Sequence, residues 1–186
     1  MKKIILVLLF SSTFINAQDS TLIKKNEVRF DVLSLITSSK FNVSYERYLN
    51  KKISLGISTS YSNSNKTNDD FDSGYISTIA KYELNPFLRY NFSNKLTRFY
   101  FAEVFLSANG GDFKETIRIV DLPYAYYKNQ KSAYFDLALG GSLGYKMYFK
   151  KKVVVEFLVG FGKNLVNRNI SPDVISRVGL NFGYRF

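Results

Sequence analysis

Residues 174–186 read VISRVGLNFGYRF, and from Arg177 onward large apolar side chains alternate strictly with polar or small ones. A period of two is the pattern of a β-strand with one apolar face and one polar face. The polar face carries Arg177 and Arg185, and the apolar face ends on Phe186. A strand of this kind has good reason to place its apolar face against lipid. The apolar positions are Val178, Leu180, Phe182, Tyr184 and Phe186.

This last strand resembles the assembly signal of bacterial outer-membrane β-barrels, a terminal Phe preceded by apolar residues at every second position. In that group the barrel-assembly machinery recognises the final strand. The resemblance therefore implies the barrel-assembly machinery as a partner and the five apolar positions from Val178 to Phe186 as the signal that it binds.

The beginning of the chain has the composition of a secretory signal peptide. Lys2 and Lys3 form a basic region, residues 4–10 form an apolar region, and Ala17 is a plausible cleavage residue. The apolar region is far shorter than the roughly 20 residues that a membrane-spanning helix needs. We therefore expect export through the general secretory route to the bacterial outer membrane. The predicted divisions are a signal peptide over 1–17, an N-terminal extension over 18–26 and a barrel over 27–186.

Two residue types are missing from the chain, which has no Cys and no His. Their absence removes the commonest general base and the thiolate and imidazole metal ligands. Ser-His, Cys-His and His-zinc chemistry is therefore impossible within this chain. We predict that the protein is not an enzyme and that it uses no metal and no cofactor.

The chain is basic, with a formal net charge of +11. A basic balance is typical of proteins that bind nucleic acid or an anionic membrane surface. No nucleic-acid-binding motif is present, so we expect no nucleic-acid partner and instead expect outer-membrane lipids. The lysines cluster in short turns at 51–52 and 150–152, where they either contact lipid headgroups or are solvated.

Strand patterns fill the chain after residue 26, and no segment shows a convincing helical period. The predicted strands are 27–36, 41–49, 53–61, 75–92, 99–109, 133–149, 153–163 and 174–186. The tight connections are 50–52, 93–98 and 150–152, and the long ones are 62–74, 110–132 and 164–173. Only the first connection, 37–40, breaks this alternation, because it is short. Tight turns at one end and long loops at the other are typical of outer-membrane barrels. The sequence thus predicts an all-β fold, an eight-stranded antiparallel up-and-down transmembrane β-barrel.

The chain as a whole resembles small eight-stranded outer-membrane barrels of the OmpX-like and OmpA-transmembrane-like groups, and uncharacterised barrel families of Bacteroidetes. The stretches that carry this resemblance are NVSYERYLNKKISLGIS at 42–58 and LNPFLRYNFS at 84–93. The resemblance implies a barrel in the outer membrane, with long loops outside the cell.

We assign the polar face of each strand to the barrel interior, because an Arg or Lys on the lipid face at mid-depth costs roughly 2 to 4 kcal/mol. Basic and acidic residues then meet in the lumen and are expected to form an ion-pair network. The assigned residues are Arg29, Asp31, Glu46, Lys81, Glu83, Arg89, Glu103, Lys146, Glu156, Arg177 and Arg185. The opposite arrangement, with apolar residues inside, would make the chain a soluble periplasmic lipocalin-like carrier.

A few residues conflict with this assignment. Leu33 and Leu35 would point inward on the first strand, and Phe99, Phe101 and Phe105 on the fifth. Pro86 lies inside a paired strand, where it cannot donate a hydrogen bond. We predict a local β-bulge at Pro86, and a wrong register in this strand is the alternative.

The filled lumen and the missing catalytic residue types favour a non-enzymatic outer-membrane protein with a structural or surface-interaction role. Tyr124, Tyr126 and Tyr127 lie in the longest predicted loop. They are a candidate contact surface for a surface partner that the sequence does not identify, or they extend the flanking strands above the membrane. The alternative function is a narrow pore or a small-ligand-binding barrel.

Overall fold

The computed structural model describes residues 24–94, 97–121, 124–167 and 169–186. The predicted signal peptide and residues 18–23 of the predicted N-terminal extension lie outside the described residues. Within the described part, eight antiparallel strands follow one another around a closed barrel, and the last strand pairs with the first. The predicted all-β, eight-stranded, antiparallel up-and-down barrel is confirmed.

Each strand of the barrel pairs with its neighbours in sequence. The strands are β1 (Asn26–Asp31), β2 (Lys40–Tyr48), β3 (Ile53–Ser62), β4 (Thr78–Asn91), β5 (Arg98–Asp121), β6 (Tyr124–Phe149), β7 (Val153–Asn164) and β8 (Val174–Arg185). The helices are α1 (Val32–Ser38) and α2 (Asn65–Asp72). In the described part of the chain, neither helix has the length and apolar character needed to cross a membrane.

The connections differ in length at the two ends of the barrel. Short turns join β2 to β3, β4 to β5 and β6 to β7 at one end, which we call the turn end. Both chain ends of the barrel lie there too, since the Phe186 N–H donates to the Asn26 carbonyl at 2.8 Å. The opposite end, the loop end, carries α1, α2 and the β7–β8 connection.

The first predicted strand is wrong beyond Asp31, where the chain turns into α1. The Asp31 carboxylate accepts hydrogen bonds from the Ser34 N–H at 3.2 Å and the Ser34 hydroxyl at 2.6 Å. Such a cap satisfies an amide that has no partner within the helix. Leu33 and Leu35 therefore lie on α1 and do not point into the barrel as strand residues. The helix contacts β2 and β8.

The predicted loop at 110–132 is also wrong. β5 and β6 continue as a two-stranded ribbon, residues 113–121 and 124–132, paired from Phe113 opposite Ser132 to Asp121 opposite Tyr124. Beyond the barrel wall, no core or lipid requires one face of a strand to be apolar, so the alternation weakens there.

β4 has its irregularity at Lys81 and not at Pro86, so the predicted position of the bulge is wrong. The register with β5 shifts by one residue between Ala80 and Tyr82. Pro86 is exposed and pairs with Ile57 of β3, and the register with β5 is the same on both sides of it. The missing N–H of proline interrupts the ladder to β5 without inserting an extra residue.

The barrel is apolar outside and charged inside. Charged side chains such as Arg29, Glu46 and Lys146 are buried in the lumen. A lipocalin-like carrier, weighed from the sequence, would have the reverse arrangement. All eight strands expose large apolar side chains, among them Val28, Tyr45, Ile57, Leu88, Leu106, Leu143, Phe157 and Phe182.

Two of the inward-facing phenylalanines of β5 lie opposite glycines on β6, whereas Phe99 lies opposite Lys146. Phe101 pairs with Gly144, and Phe105 with Gly140. A Cβ atom on Gly144 would lie 2.7 Å from Cε1 of Phe101, closer than real Cβ contacts. These glycines therefore leave room for aromatic rings.

Candidate functional site

A cluster of ionised side chains fills the middle of the lumen, and we call it the luminal cluster. Four basic and four acidic residues belong to it, so their formal charges cancel. Seven of the eight strands contribute, which ties the walls of the barrel together across its axis. The members are Arg29, Arg89, Lys146 and Arg177, with Glu27, Glu46, Glu103 and Glu156.

Arg89 lies at the centre of the luminal cluster and bonds to three strands besides its own. Its Nη2 lies 2.6 Å from Oε2 of Glu103. Its Nη1 lies 2.9 Å from Oε2 of Glu46 and 2.7 Å from Oε2 of Glu156. The planar guanidinium offers five donors in a fixed geometry, so one side chain links β2, β5 and β7 to β4.

Lys146 neutralises the carboxylates on the turn-end side of the cluster. Its Nζ lies 2.9 Å from Glu27, 2.7 Å from Glu46 and 3.1 Å from Glu156. These three carboxylates lie within 4.8 Å of one another, a spacing that could hold a metal ion. The ammonium group contacts all three, and Arg29 also bonds Glu27 and Glu46. The geometry therefore fits a structural ion-pair network better than a metal site.

Aromatic rings pack against the guanidinium groups of the cluster. The Arg89 Cζ atom lies 3.9 Å from the centroid of the Phe101 ring. The Arg177 Cζ atom lies 4.5 Å from the centroid of the Phe105 ring. A desolvated cation–π contact stabilises by about 2 kcal/mol. These contacts explain why phenylalanines face inward among charges.

An aromatic layer closes the lumen at the turn end. The hydroxyls of Tyr48 and Tyr148 lie 2.7 Å apart, and Tyr148 donates to Glu27. The Arg185 Cζ atom lies 4.2 Å from the Tyr48 ring centroid, and its Nε donates to the Lys24 carbonyl at 2.9 Å. Arg185, assigned to the ion-pair network from the sequence, instead caps this layer, because the strand end places it beyond the carboxylates.

Three other predicted network residues lie outside the luminal cluster. Asp31 caps α1 and also accepts from the Leu180 N–H at 3.2 Å. Glu83 bonds Lys40 at 2.5 Å, and Lys81 bonds Asp112 at 2.5 Å near the loop end. Their positions follow from strand length, because these residues lie nearer the loop end than the cluster does.

Sequence reasoning missed Glu27, which is fully buried in the luminal cluster. Its position has the same parity as Arg29 and Asp31 on the first strand, so the signal was present. Lys40 was assigned to a connection and is the first residue of β2.

The lumen keeps a small polar cavity on the loop-end side of the cluster. Its volume is about 40 Å³, and Arg177, Asp31, Lys40 and Glu83 are among its lining residues. One water needs roughly 10 to 15 Å³ measured in this way. The cavity thus accommodates a few water molecules and is too small for a drug-sized ligand.

The five residues of the predicted assembly signal lie on β8 and at its end, at the seam where the barrel closes. Leu180 is half-buried, and Val178, Phe182, Tyr184 and Phe186 are exposed on the outer face.

The three candidate contact tyrosines lie at the tip of the ribbon, and all are exposed. Tyr126 pairs with Ile119, and Tyr127 pairs with Arg118. Because side chains alternate along a strand, Tyr127 lies on the opposite face of the ribbon from Tyr124 and Tyr126. They extend the flanking strands, and they do not form one surface.

Comparison with known proteins finds one matching family and several solved barrels of similar fold. The family described as "Protein of unknown function (DUF3575)" matches residues 3–169 of this chain. No curated protein matches the sequence. Among solved structures, the N-terminal β-barrel domain of Pseudomonas aeruginosa OprF is 11% identical, with a TM-score of 0.52, over 87% of this chain and 96% of that chain.

Two other solved barrels are similar over comparable lengths. Neisserial surface protein A (NspA) is 15% identical, with a TM-score of 0.47, over 87% of this chain and 93% of that chain. The attachment invasion locus protein Ail of Yersinia pestis is 11% identical, with a TM-score of 0.45, over 88% of this chain and 99% of that chain. The likeness to the OprF domain is one of fold, that of the small eight-stranded outer-membrane barrels that the sequence resembles.

Proposed function

This chain belongs to the family described as protein of unknown function (DUF3575), and we propose that it is a non-enzymatic outer-membrane barrel with a closed lumen. Its role is structural or that of a surface-interaction protein that presents the loop end outside the cell. The observation that carries the proposal is the luminal cluster, which is buried, charge-balanced and bonded across the barrel axis.

The apolar outer wall supports a membrane location. Soluble monomers rarely expose contiguous apolar patches larger than a few hundred Å², whereas here every strand exposes large apolar side chains. Lipid covers such a wall without cost, and the closed strand ladder leaves no unpaired edge in the hydrocarbon. The signal-peptide pattern at residues 1–17 supports export by the general secretory route, and the pattern of β8 supports insertion by the barrel-assembly machinery.

The burial and the ion pairs of the luminal carboxylates argue against a catalytic role. Glu46 and Glu156 each contact both Arg89 and Lys146. General acid and base groups need an accessible position beside a substrate, and these carboxylates are fully buried.

The membrane location has a direct test by electrophoresis. The detergent-extracted chain should migrate differently before and after boiling, and carbonate washing should not release it from membranes. Release by carbonate together with unchanged migration would contradict an integral barrel.

Conductance tests the closed lumen. In planar bilayers the unchanged chain should give no large and stable conductance, because the cluster and the tyrosine layer obstruct the axis. Arg89→Ala should raise conductance, whereas Lys163→Ala, at an exposed position on β7, should not. Large open channels in the unchanged chain would favour the narrow pore instead.

Topology can be mapped with single cysteines because the chain has none. A membrane-impermeant maleimide should label Tyr127→Cys on intact cells, since Tyr127 lies on the ribbon. It should label Lys51→Cys, on a turn, only after the cells are broken. The reverse pattern would contradict presentation of the loop end outside.

A further inference from the structure

The turns at the turn end of the barrel carry basic residues and no acidic ones. No Asp or Glu occurs in the turns and their flanks at 47–53, 90–100 and 147–155. The loop end, in contrast, carries both signs of charge, for example Asp72 beside Lys131. The exposed basic residues of the described turn end include Arg47, Lys51, Lys52, Arg98, Lys150, Lys151 and Lys152.

The β6–β7 turn keeps two lysines in a backbone conformation that disfavours them. Lys150 has a φ of 50° and Lys151 a φ of 60°, both in the left-handed region. The Lys152 N–H donates to the Phe149 carbonyl at 3.1 Å and closes the turn. Asn and Gly are the residues that such tight turns favour. Residues held in disfavoured conformations cluster at functional sites, so these lysines point to a use of their charge.

A shallow apolar groove lies on the outer wall close to this turn. Its volume is about 570 Å³, and its lining includes Phe92, Tyr100, Leu143, Tyr145, Phe157 and Val159. The rings of Tyr100 and Tyr145 lie 4.7 Å apart between their centroids. Tyrosine at this level of a barrel is typical of the boundary between hydrocarbon and headgroups.

The groove itself is lined by apolar and aromatic residues, and basic residues follow on its turn-end side along β5 and after β6. Arg98 begins β5 two residues before Tyr100, so both side chains point to the outer face. The Tyr148 N–H donates to the Thr97 carbonyl at 2.8 Å, which joins the base of β5 to the strand that leads into Lys150. An apolar groove therefore continues into a cationic rim.

We propose that this corner of the barrel binds one anionic phospholipid. The phosphate headgroup contacts Arg98, Lys150 and Lys151, and an acyl chain lies along the groove beside Tyr100 and Tyr145. Charge complementarity selects the headgroup, since lysine and arginine near a membrane surface attract anionic lipid. The inference rests on the proposed function, because the groove meets acyl chains only if the barrel lies in a bilayer.

The test uses the full barrel in phosphatidylcholine bilayers with trace spin-labelled phosphatidylglycerol or spin-labelled phosphatidylcholine. The motionally restricted fraction of each label measures lipid preference. We expect about a fivefold preference for phosphatidylglycerol, weakened by high salt. Equal binding of the two labels would overturn the proposal. Millimolar inorganic phosphate should not displace the label, and displacement would reassign the site to a free anion.

Two matched variants locate the site. Lys150→Asn with Lys151→Gly removes two charges and supplies residues that the turn favours, so the barrel should fold and lose most of the preference. Lys51→Gln with Lys52→Gln removes two charges from the β2–β3 turn, across the barrel in strand order, and should retain most of it. Equal losses in both variants would mean diffuse surface charge and would overturn a defined site.

The gel-shift test separates this inference from the proposed function. A barrel that inserts, shifts on boiling and shows no lipid preference refutes the phospholipid site and leaves the outer-membrane barrel in place. A chain that does not insert into bilayers refutes both.

Discussion

Asp31 Oδ1 accepts a hydrogen bond from the backbone amide of Leu180 at 3.2 Å, at the point where β1 leaves the sheet. Asp31 opposite Asn181 is the last pair between β1 and β8. Beyond it, β8 contacts α1. The same carboxylate caps α1 through Ser34. One side chain thus ends a strand ladder, starts a helix and satisfies an amide that the shortened strand no longer reaches.

Replacing Asp31 should destabilise the barrel at this seam. Asp31→Ala removes the cap and leaves the Leu180 amide without its partner, at a cost of about 1 to 3 kcal/mol. Ser34→Ala, which removes only the hydroxyl bond, should cost less. Urea unfolding in lipid vesicles, followed by the shift between folded and unfolded gel bands, measures both. Equal stability of the two variants would contradict the double role of Asp31.

Replacing Arg89 should have a larger effect than any exposed substitution. Arg89→Ala leaves Glu46, Glu103 and Glu156 with fewer cations in a buried site, and breaking a buried ion pair costs about 3 to 5 kcal/mol. Arg89→Lys keeps the charge and loses the fork and the ring contact, so we expect an intermediate loss. Lys163→Gln serves as the exposed control and should change stability by less than about 0.5 kcal/mol. The same unfolding assay ranks the three variants.

The Phe–Gly pairs predict that substitution by alanine destabilises the barrel at one glycine and leaves it nearly unchanged at a neighbouring glycine. Gly144→Ala would place a Cβ against Cζ and Cε1 of the Phe101 ring and 2.5 Å from the Phe157 carbonyl oxygen, and overpacking of this kind costs about 1 to 3 kcal/mol. Gly141→Ala should be nearly neutral, because the nearest atom lies at an ordinary 3.6 Å. Phe101→Leu should partly rescue Gly144→Ala in a double-mutant cycle. Additive losses would show that the ring and the glycine are not coupled.

The period-two pattern predicted the eight strands and the inward position of charges because a barrel in lipid imposes that pattern on every strand. β8 is the clearest case, with Arg177 and Arg185 on one face and Phe182 on the other. The alternation holds from Glu27 to Val32 and fails at Leu33 and Leu35, which is where α1 replaces the strand. Asp31 and Ser34, whose contact caps the helix, look in the sequence like ordinary polar residues of a strand.

The sequence could not predict which charged side chains bond to one another inside the lumen. Parity places Arg185 inside, but height along the barrel decides whether it meets Glu46 or Tyr48, and height depends on strand tilt and register. The ribbon was missed for a different reason: outside the lipid, strands such as 113–121 need no apolar face, so their pattern resembles that of a loop.

Asp136 should control the order of the β7–β8 loop. Its carboxylate accepts hydrogen bonds from the Val166 N–H at 2.9 Å and the Asn167 N–H at 3.0 Å, and from the Ser171 hydroxyl. Asp136→Ala removes these bonds, so hydrogen exchange at residues 165–167 should accelerate at least about fivefold, the equivalent of one lost bond of about 1 kcal/mol. Asp173→Ala, at an exposed position of the same loop, is the matched control. Unchanged exchange in Asp136→Ala would show that the loop is held elsewhere.

The contact between α2 and the ribbon should depend on pH. The hydrogen bond from Lys131, together with its charge, lowers the pKa of Asp72 below its usual value. A lowered folded-state pKa means that the contact contributes stability above the ordinary Asp pKa of about 3.9, and that this contribution is lost as the pH falls through the lowered value. An NMR titration of the Asp72 carboxyl in micelles measures the midpoint. Lys131→Gln should move it back toward the usual value, and an identical midpoint in both proteins would exclude Lys131 as the cause.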